Sequence, residues 1–479
     1  MKTRIIILFL LILFGVLVET CGLRLEAASH EARLGSSPTS NSAYVIDAAD
    51  ALWAWGENRS GQLGVGFESA SERTPMTAPV PAGEAGWLTV AGGGFHALGI
   101  SDEGRLYAWG NNAWGQLGVG ITNSGQPTAA LVEAPSGAGH WTAVAAGYWH
   151  SLGLAANGQL YTWGQGRYGE LGYSGEGTYY FSARPSIVGR PANVNRWTAI
   201  FAGQGFSLGI GDDGALYAWG YNSFGQLGIG RPENQTLPVK VLAPDTVKKW
   251  MAVAAGVTHT VALGDDGGLY AWGSNMNGQL GNEWVPPTGT NSPVPVPSPP
   301  GVTYWTAVAA GAYHTLTMAG DGQLFSCGGN YSGQLGDGTF TNRCTLGPVV
   351  LPAGVTRWLS FTCGREYSLA IGDDCRMYAW GSLLIAGTTT SVTVPTPVPG
   401  VGDLCPSSLR LSDAGFHLSF PGISGSRLRI EGSTDLKNWT PLCTNLVTEG
   451  TVHFVDPVAT DRPRRFYRAL PDADAQSSD

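Results

Sequence analysis

One short motif recurs along most of the chain at an almost constant spacing. The run Leu-Tyr-Ala-Trp-Gly, or a close variant, ends at seven glycines that lie 53 to 56 residues apart. These are Gly56, Gly110, Gly164, Gly220, Gly273, Gly328 and Gly381. Such a regular period indicates one supersecondary unit per repeat, with each unit burying its apolar faces against its neighbours. The chain is therefore predicted to be a repeat protein.

Each period contains the same pieces in the same order. In the third copy they are WTAVAAG from Trp141, HSLGL from His150, an Asn-Gly turn, and LYTWG from Leu160. A glycine-rich loop, Gly-Gln-Leu-Gly in most copies, then leads to a segment rich in Pro and Val. Asn-Gly and Asp-Gly are hairpin turns, and proline fits an exposed edge strand. The unit is read as four antiparallel strands, A to D, which form one blade of a β-propeller.

Composition supports an all-β fold and argues against one class of partner. The chain of 479 residues contains 70 Gly, 29 Pro and 17 Trp, a load that short aromatic strands tolerate better than helices do. Only 13% of residues are charged and the net charge is -9. No basic field is available to hold a phosphate backbone, so nucleic acid is not expected as a partner.

The number of blades follows from counting strands. The C strand occurs seven times and the A strand six times, because the first copy begins with residues 42–46 where a B strand belongs. Seven blades are predicted, with the incomplete first blade completed by residues 399–404. The alternative is six closed blades and a stray hairpin, which would leave open sheet edges.

The recurring patterns AAGxxHSLxL, DGxLYAWG and NxxGQLG carry a family resemblance over residues 42–403. They resemble the regulator of chromosome condensation repeat, whose members are seven-bladed propellers. The founding members are nuclear guanine-nucleotide exchange factors bound to chromatin, and secreted bacterial propellers, including β-lactamase inhibitors, share the resemblance. An acidic chain without a long insertion fits the secreted bacterial type better. No exchange residue is carried over.

The N-terminus has the features of an export signal. Lys2 and Arg4 precede an apolar run over residues 5–18, so residues 1–28 are interpreted as a signal peptide and residues 29–41 as a spacer. Cys21 allows the alternative of a lipoprotein, and a lipid anchor there would be the protein's only contact with a membrane. The expected location is secreted or in the cell envelope.

The repeat pattern ends before the last part of the sequence. Residues 407–470 alternate apolar and polar positions, which predicts a small C-terminal β-sandwich. This part resembles a module at the C-termini of secreted bacterial proteins, and residues 471–479 are expected to be a disordered tail. Cys405 and Cys443 are a possible disulfide, although six cysteines allow 15 connectivities.

Several patterns that suggest metal or cofactor sites have simpler explanations. One repeat position carries His96, His150, His259 and His314. Phe206 and Tyr367 occupy the same position in other copies, which favours packing over a ring of metal ligands. The Asp pairs at 212–213, 265–266 and 373–374 are interpreted as solvated turns rather than cation sites. Gly164 to Gly169 match GxGxxG, but no helix follows to bind a pyrophosphate. We expect no metal and no cofactor.

The candidate binding site is the propeller face that carries the A–B and C–D loops, because its variable residues are unusually aromatic. Trp, Tyr and Arg often supply most of the binding energy at protein interfaces. The candidate residues are Phe95, Trp114, Tyr148, Trp149, Tyr168, Tyr221, Phe224, Tyr313, Tyr331 and Arg365. For Trp114 and Phe224, packing into the core is an equally good interpretation.

The predicted function is a non-enzymatic, monomeric scaffold that binds another protein through this face. Carbohydrate or cell-wall glycan binding is the alternative, since aromatic rings also stack on sugars. A third hypothesis is an enzyme that acts on polysaccharide, which requires paired carboxylates. The face supplies only scattered ones, Glu57, Glu170 and Glu366.

Overall fold

The computed structural model describes residues 32–173, 181–382, 390–402 and 404 in full, and the backbone of six further strands between residues 409 and 471. The chain divides into one unit at Ala32–Leu404 and a second that comprises residues 1–31 and 405–479. All regular elements in the described residues are β-strands. A helix able to cross a membrane is not found among them.

The unit at Ala32–Leu404 contains seven four-stranded antiparallel sheets, as a seven-bladed propeller requires. In each blade the strands follow the order A, B, C, D from the axis outward. Blade 1 is β1 (Arg33–Gly35), β2 (Ser42–Ile46), β3 (Leu52–Glu57) and β4 (Ser71–Thr77). Blade 2 is β5 (Trp87–Gly92), β6 (His96–Ser101), β7 (Leu106–Asn112) and β8 (Asn123–Leu131). Blade 3 is β9 (Trp141–Ala146), β10 (His150–Ala155), β11 (Leu160–Gln165) and β12 (Phe181–Ile187).

The remaining blades repeat this arrangement. Blade 4 is β13 (Trp197–Ala202), β14 (Phe206–Gly211), β15 (Leu216–Gly220) and β16 (Gln235–Lys240). Blade 5 is β17 (Trp250–Ala255), β18 (His259–Gly264), β19 (Leu269–Gly273) and β20 (Thr290–Pro295). Blade 6 is β21 (Trp305–Ala310), β22 (His314–Ala319), β23 (Leu324–Gly328) and β24 (Arg343–Pro348). Blade 7 is β25 (Trp358–Cys363), β26 (Tyr367–Gly372), β27 (Met377–Gly381) and β28 (Val392–Pro397).

The second unit contains two three-stranded antiparallel sheets. One has the order β29 (Leu409–Ser412), β30 (Gly415–Pro421), β33 (Thr451–Asp456). The other has the order β32 (Thr440–Leu446), β31 (Arg427–Ser433), β34 (Phe466–Pro471). Its predicted sandwich packing stays a prediction. The tail was predicted at residues 471–479; Pro471 is the last residue of β34, and residues 472–479 lie outside the described residues.

Ring closure differs from the sequence-based prediction. The innermost strand of blade 1 is β1, which lies within the segment interpreted as a spacer, so the prediction that residues 399–404 complete this blade is wrong. Residues 398 and 404 instead contribute buried side chains to a cluster with Trp55 and Met377, without pairing as a strand. The three-residue strand lacks the Trp that marks every other A strand, and the pattern therefore missed it.

Blades 7 and 1 meet through side-chain packing and hydrogen bonds rather than a shared sheet. The backbone amide of Arg365 donates to the Ser40 carbonyl at 2.9 Å. The Tyr367 hydroxyl donates to the Ser42 carbonyl at 2.6 Å and lies 2.7 Å from Ser36 Oγ. Tyr367 occupies the repeat position that carries histidine in four other blades, and here it helps to close the ring.

The recurring tryptophans explain why the blades stack. Within blade 3, Trp141 of strand A packs against Trp163 of strand C at a ring distance of 6.1 Å. Trp163 Nε1 also donates to the Gln116 carbonyl in the glycine loop of blade 2, at 2.9 Å. A side chain at Gly118 would lie 2.7 Å from this indole nitrogen, and its φ of +75° also favours glycine. The same bond joins strand C of blades 2, 4, 5 and 7 to the preceding blade.

The blade order places the A–B and C–D loops on one face and the B–C turns and blade connectors on the other. We call these the loop face and the turn face. Both ends of the propeller unit lie at the turn face: Arg33 pairs with Asp50 in the first B–C turn, and Gly402 adjoins Asp47 of the same turn. Ala32 and Leu404 belong to one hydrophobic cluster.

Candidate binding face

Backbone hydrogen bonds between neighbouring A–B loops form a rim around the propeller axis on the loop face. The amide of one loop donates to a carbonyl in the next: Gly94 to Gly147 at 3.2 Å, Tyr148 to Gln204 at 3.3 Å, Val257 to Ala312 at 3.3 Å, Ala312 to Arg365 at 3.0 Å. Side chains at the variable positions of these loops are therefore displayed from a fixed backbone.

The repeated histidines are structural links between blades. His96 Nε2 lies 2.9 Å from Ser151 Oγ of the next blade, and that hydroxyl donates to the Gln116 carbonyl at 2.8 Å. The same link joins three other pairs: His150 and Ser207, His259 and Thr315, His314 and Ser368. Burial lowers the pKa of each histidine to about 3, so all four are neutral at physiological pH. Within the described residues, no cluster of three metal-ligating side chains occurs.

The repeated Gln and Asn of the C–D loops hold those loops in shape. Gln116 Oε1 accepts the Trp114 amide at 2.9 Å, and Asn112 Oδ1 accepts the Leu117 amide at 3.1 Å. Asn112 Nδ2 donates to the Ile121 carbonyl at 2.9 Å across the loop. The same three bonds recur in other blades. The recurring residues of the repeat therefore hold each loop in shape, and the variable residues between them differ from one loop to the next.

Three of the predicted aromatic residues form one stacked group on blades 2 and 3. Phe95 and Trp149 stack with ring centroids 4.8 Å apart and an interplanar angle of 24°. Tyr148 meets both rings edge-on, at 5.4 Å from Phe95 and 5.1 Å from Trp149. The A–B loops of two neighbouring blades thus present a joint aromatic surface.

A second group of the predicted residues lies on blades 3 and 4. Tyr168 and Tyr221 are 4.9 Å apart, and Tyr221 meets Phe224 edge-on at 6.2 Å. The Arg167 guanidinium lies over the Tyr168 ring at 5.6 Å, a cation–π arrangement. Arg167 is exposed and is the cation of this region.

The two groups are continuous through the A–B loop of blade 4. Tyr148 of the first group donates its amide to Gln204, and the next residue, Gly205, has the Tyr168 ring within 3.3 Å of its virtual Cβ. We call the whole set the aromatic strip. It consists of Phe95, Tyr148, Trp149, Tyr168, Tyr221 and Phe224.

The other predicted residues lie elsewhere on the loop face. Trp114 is 37% exposed and Phe224 of the strip is 36% exposed, so neither is a core residue. Tyr313 and Tyr331, in blade 6, are also exposed. Arg365 is half-buried, with its backbone in the rim.

Sequence reasoning missed the most exposed tryptophan of the described chain. Trp284 is 81% exposed and lies in the C–D loop of blade 5, where Met276 is 70% exposed. The segment after Gly281 departs from the repeat at this point, and its Trp between Glu283 and Val285 has no counterpart in the other copies. That lack of a counterpart was the available signal.

The turn face is built from charged groups with structural partners. Asp212 Oδ1 accepts the Asn195 amide of the blade connector at 3.0 Å, a bond that lowers the pKa of Asp212. Asp213 Oδ2 accepts the Tyr217 hydroxyl at 2.8 Å. The pairs at 265–266 and 373–374 are held in the same way. The acidic turns are therefore occupied by protein donors, as their interpretation as turns predicts.

The three carboxylates considered for catalysis are held separately. Glu57 accepts from Asn41 at 3.0 Å in blade 1, and Glu366 accepts from Ser332 at 3.1 Å between blades 6 and 7. Glu170 is buried in blade 3. Among the described residues, no hydrogen bond joins any two of them.

The central channel holds a cavity of about 270 Å³. Its wall consists mainly of small apolar side chains of the A strands, such as Ala145, Val308 and Ala309. Ser36, Ser37 and Pro38 of the first A–B loop also line it. Cys363 also lines the cavity, and burial raises the pKa of its thiol.

The structure describes the side chains of four cysteines. Cys375 is disulfide-bonded, whereas Cys327, Cys344 and Cys363 are free. Cys405 and Cys443, predicted to pair with each other, lie outside the residues whose side chains the structure describes.

The propeller matches models of one protein family. Residues 131–410 match the RCC1-like domain, and residues 50–100 and 103–154 match the regulator of chromosome condensation repeat. The chain is 33% identical over 355 residues to the secretion-regulating guanine nucleotide exchange factor of Mus musculus, covering 69% of this chain and 74% of that protein.

Two further similarities agree with this match. The ultraviolet-B receptor UVR8 of Arabidopsis thaliana is 32% identical over 229 residues, which is 48% of this chain and half of the receptor's length. The structure of Prp20p from Saccharomyces cerevisiae, described together with its binding to Gsp1p and histones, has a TM-score of 0.61 at 25% identity and covers 73% of this chain and 85% of that one. These relatives are eukaryotic, so they lend no support to the predicted bacterial type.

Proposed function

Because the chain belongs to the family of RCC1-like β-propellers, we propose that it is an exported protein-binding scaffold whose partner docks on the loop face. The aromatic strip is the observation that carries this proposal. The strip consists of two groups of three rings in contact, one on A–B loops and one on C–D loops, and the two groups adjoin through the A–B loop of blade 4.

Aromatic side chains of this kind suit an interface. Tyr and Trp bury a large area at small cost in side-chain entropy and recur among the residues that dominate binding energy. Interface centres are also depleted in charge. Among the described residues, Arg167 is the one charged side chain in ring contact with the strip, whereas the turn face carries paired aspartates in three blades.

The relatives support a protein as the partner. Prp20p is described with two protein partners, and the mouse relative is an exchange factor. The present chain has a net charge of -9, which disfavours nucleic acid. Both ends of the propeller unit lie at the turn face, opposite the aromatic strip.

Carbohydrate binding is the second candidate. The stack of Phe95 on Trp149 is the observation that favours it, because the outer face of a stacked aromatic ring can pack on a sugar ring. A glycan array separates the two functions. Binding to one glycan class that is lost in Trp149→Ala would support carbohydrate binding. The absence of glycan binding, together with a captured protein partner, would exclude it.

Protein binding is tested by crosslinking and affinity capture from an extracytoplasmic fraction, followed by calorimetry with the captured protein. We expect Trp149→Ala and Tyr221→Ala to weaken binding by at least about tenfold. Tyr304→Ala is the matched control, since Tyr304 is an exposed tyrosine of a blade connector on the turn face. Equal affinity of all three variants would overturn the loop face as the site.

Export is tested separately by mass spectrometry of the mature N-terminus. We expect the first residues to be removed, by cleavage near Gly22 or after Ala28 or by processing to a lipidated Cys21. A mature chain that keeps Met1 would overturn export. An unmodified start at Ser29 would exclude the lipid anchor.

A further inference from the structure

The pattern Asn-X-Ser/Thr, at which N-linked glycans are attached to secreted proteins, occurs four times in the chain. Its asparagines are Asn58, Asn234, Asn330 and Asn438. Asn438 lies outside the residues whose side chains the structure describes. A glycan is bulky and needs a position on the surface of the folded chain. The three described asparagines differ in whether the fold offers such a position.

Two of these asparagines are closed off by the fold. Asn58 and Asn330 hold the C–D loops of blades 1 and 6 in shape, and both residues are 0% exposed. Asn58 Nδ2 donates to the Phe67 carbonyl at 2.9 Å, and Asn330 Nδ2 donates to the Thr339 carbonyl at 3.0 Å. A sugar on either nitrogen would break these bonds and leave a buried carbonyl without its donor.

The third asparagine, Asn234, is exposed in the C–D loop of blade 4. Its Oδ1 accepts the backbone amide of Asn222 at 2.8 Å, so the side chain is fixed through its oxygen. Its Nδ2 has no hydrogen-bond partner among the described residues. Thr236, which completes the pattern, is exposed as well. Since Asn222 directly follows Tyr221, this open amide lies at the blade 4 end of the aromatic strip.

Blade 6 has an asparagine at the same loop position, and there both atoms of the side-chain amide are used. Asn342 Oδ1 accepts the Asn330 amide at 2.8 Å, which is the bond that Asn234 makes in blade 4. Asn342 Nδ2 also donates to the Tyr331 hydroxyl at 3.0 Å. The bond that holds the loop needs only the side-chain oxygen, so the nitrogen of Asn234 is available without loss of a structural contact.

We propose that Asn234 is a site of N-linked glycosylation on the loop face. Its Nδ2 attacks the anomeric carbon of a sugar carried on a diphosphate donor. The bond from nitrogen to that carbon forms, the bond from the carbon to the phosphate oxygen breaks with its electron pair, and the transferase takes the proton that Nδ2 loses. The product is still an amide, so Oδ1 keeps the Asn222 amide as its donor. For its setting in the cell the inference rests on the proposed export.

The experiment treats the purified, folded full chain with a soluble asparagine-specific glycosyltransferase and UDP-glucose. It needs neither export nor a partner, so its failure would leave the proposed function intact. Peptide mapping by mass spectrometry locates the added hexose. We expect it on Asn234 and not on Asn58 or Asn330, because the fold buries both of these residues. Synthetic peptides that contain the three patterns lack the fold, and all of them should be modified.

Two matched variants separate the acceptor nitrogen from the rest of the loop. Asn234→Asp keeps an oxygen for the Asn222 amide and removes the nitrogen, and Thr236→Val removes only the hydroxyl of an exposed side chain. Both should lose the hexose and keep the wild-type midpoint of urea unfolding. The modified wild-type chain should keep that midpoint too. A folded chain that stays unmodified at Asn234, equal modification of all three asparagines, or a lowered midpoint after modification would each overturn the proposal.

Discussion

Trp163 Nε1 and the Gln116 carbonyl, 47 positions apart in sequence, are joined by a hydrogen bond of 2.9 Å that crosses from blade 3 to blade 2. The same bond links Trp109 to Gln62, Trp219 to Glu170, Trp272 to Gln226 and Trp380 to Gln334. Two halves of the repeat motif that are distant within one blade thus form one contact between blades.

Loss of one such link should destabilise the ring measurably. Trp163→Phe removes the donor and leaves a small cavity, and we expect the free energy of unfolding to fall by about 2 to 4 kcal/mol. Urea unfolding followed by circular dichroism measures the change. Trp284→Phe, at an exposed tryptophan, is the control and should lie within about 0.5 kcal/mol of wild type. Equal effects would contradict the role of the indole bond.

The buried histidines should make stability fall in mild acid. Their pKa of about 3 in the folded chain lies below the ordinary 6.5, so unfolding takes up protons and stability is lost as pH falls from 6.5 toward 3. At pH 5 each histidine accounts for up to about 2 kcal/mol. Unfolding free energies at pH 6.5, 6 and 5 test this, with exposed His140→Gln as a control that should not change the slope. An unfolding free energy that does not change between pH 6.5 and pH 5 would contradict this prediction.

Glu170 should act in the opposite direction. Its folded pKa of about 7 lies above the ordinary 4.5, so its contribution is complete below pH 4.5 and is lost as pH rises to 7. We expect Glu170→Gln to match the wild type near pH 4.5 and to be more stable by about 1 to 3 kcal/mol at pH 8. Parallel urea titrations at the two pH values measure this difference. A variant less stable than wild type at pH 8 would be the contrary result.

Cysteine labelling should follow the described burial and bonding. In the native chain iodoacetamide is expected to reach exposed Cys344, and to reach buried Cys327 and Cys363 only after unfolding. Cys375 should react only after reduction, because it is disulfide-bonded. Peptide mapping without reduction identifies its partner. A link between Cys375 and Cys405 would exclude the predicted pair of Cys405 and Cys443, and alkylation of Cys375 before reduction would contradict the structure.

The sequence was sufficient to predict the blades but not the closure of the ring. Trp, His and Gly recur at fixed offsets because each blade needs the same contacts with its neighbour, and repeated contacts leave a repeated pattern. β1 has three residues, no Trp and a partner strand that begins seven residues later, so no period reveals it. The seven-bladed ring was predicted correctly, and the residues that close it were not.

The candidate face was predictable as a set of loops and not as a surface. The alternation of constant and variable positions marked the aromatic residues, six of which form the strip. Which rings touch depends on the rotation between blades, which side-chain identity does not encode. Glu170 was noted only as a scattered carboxylate, because its burial arises from the neighbouring blade.

The position of both ends of the propeller unit has a practical consequence. Ala32 and Leu404 share one hydrophobic cluster at the turn face. A propeller unit coupled to a sensor chip or bead at Ala32 or Leu404 is therefore attached at its turn face, the face opposite the aromatic strip.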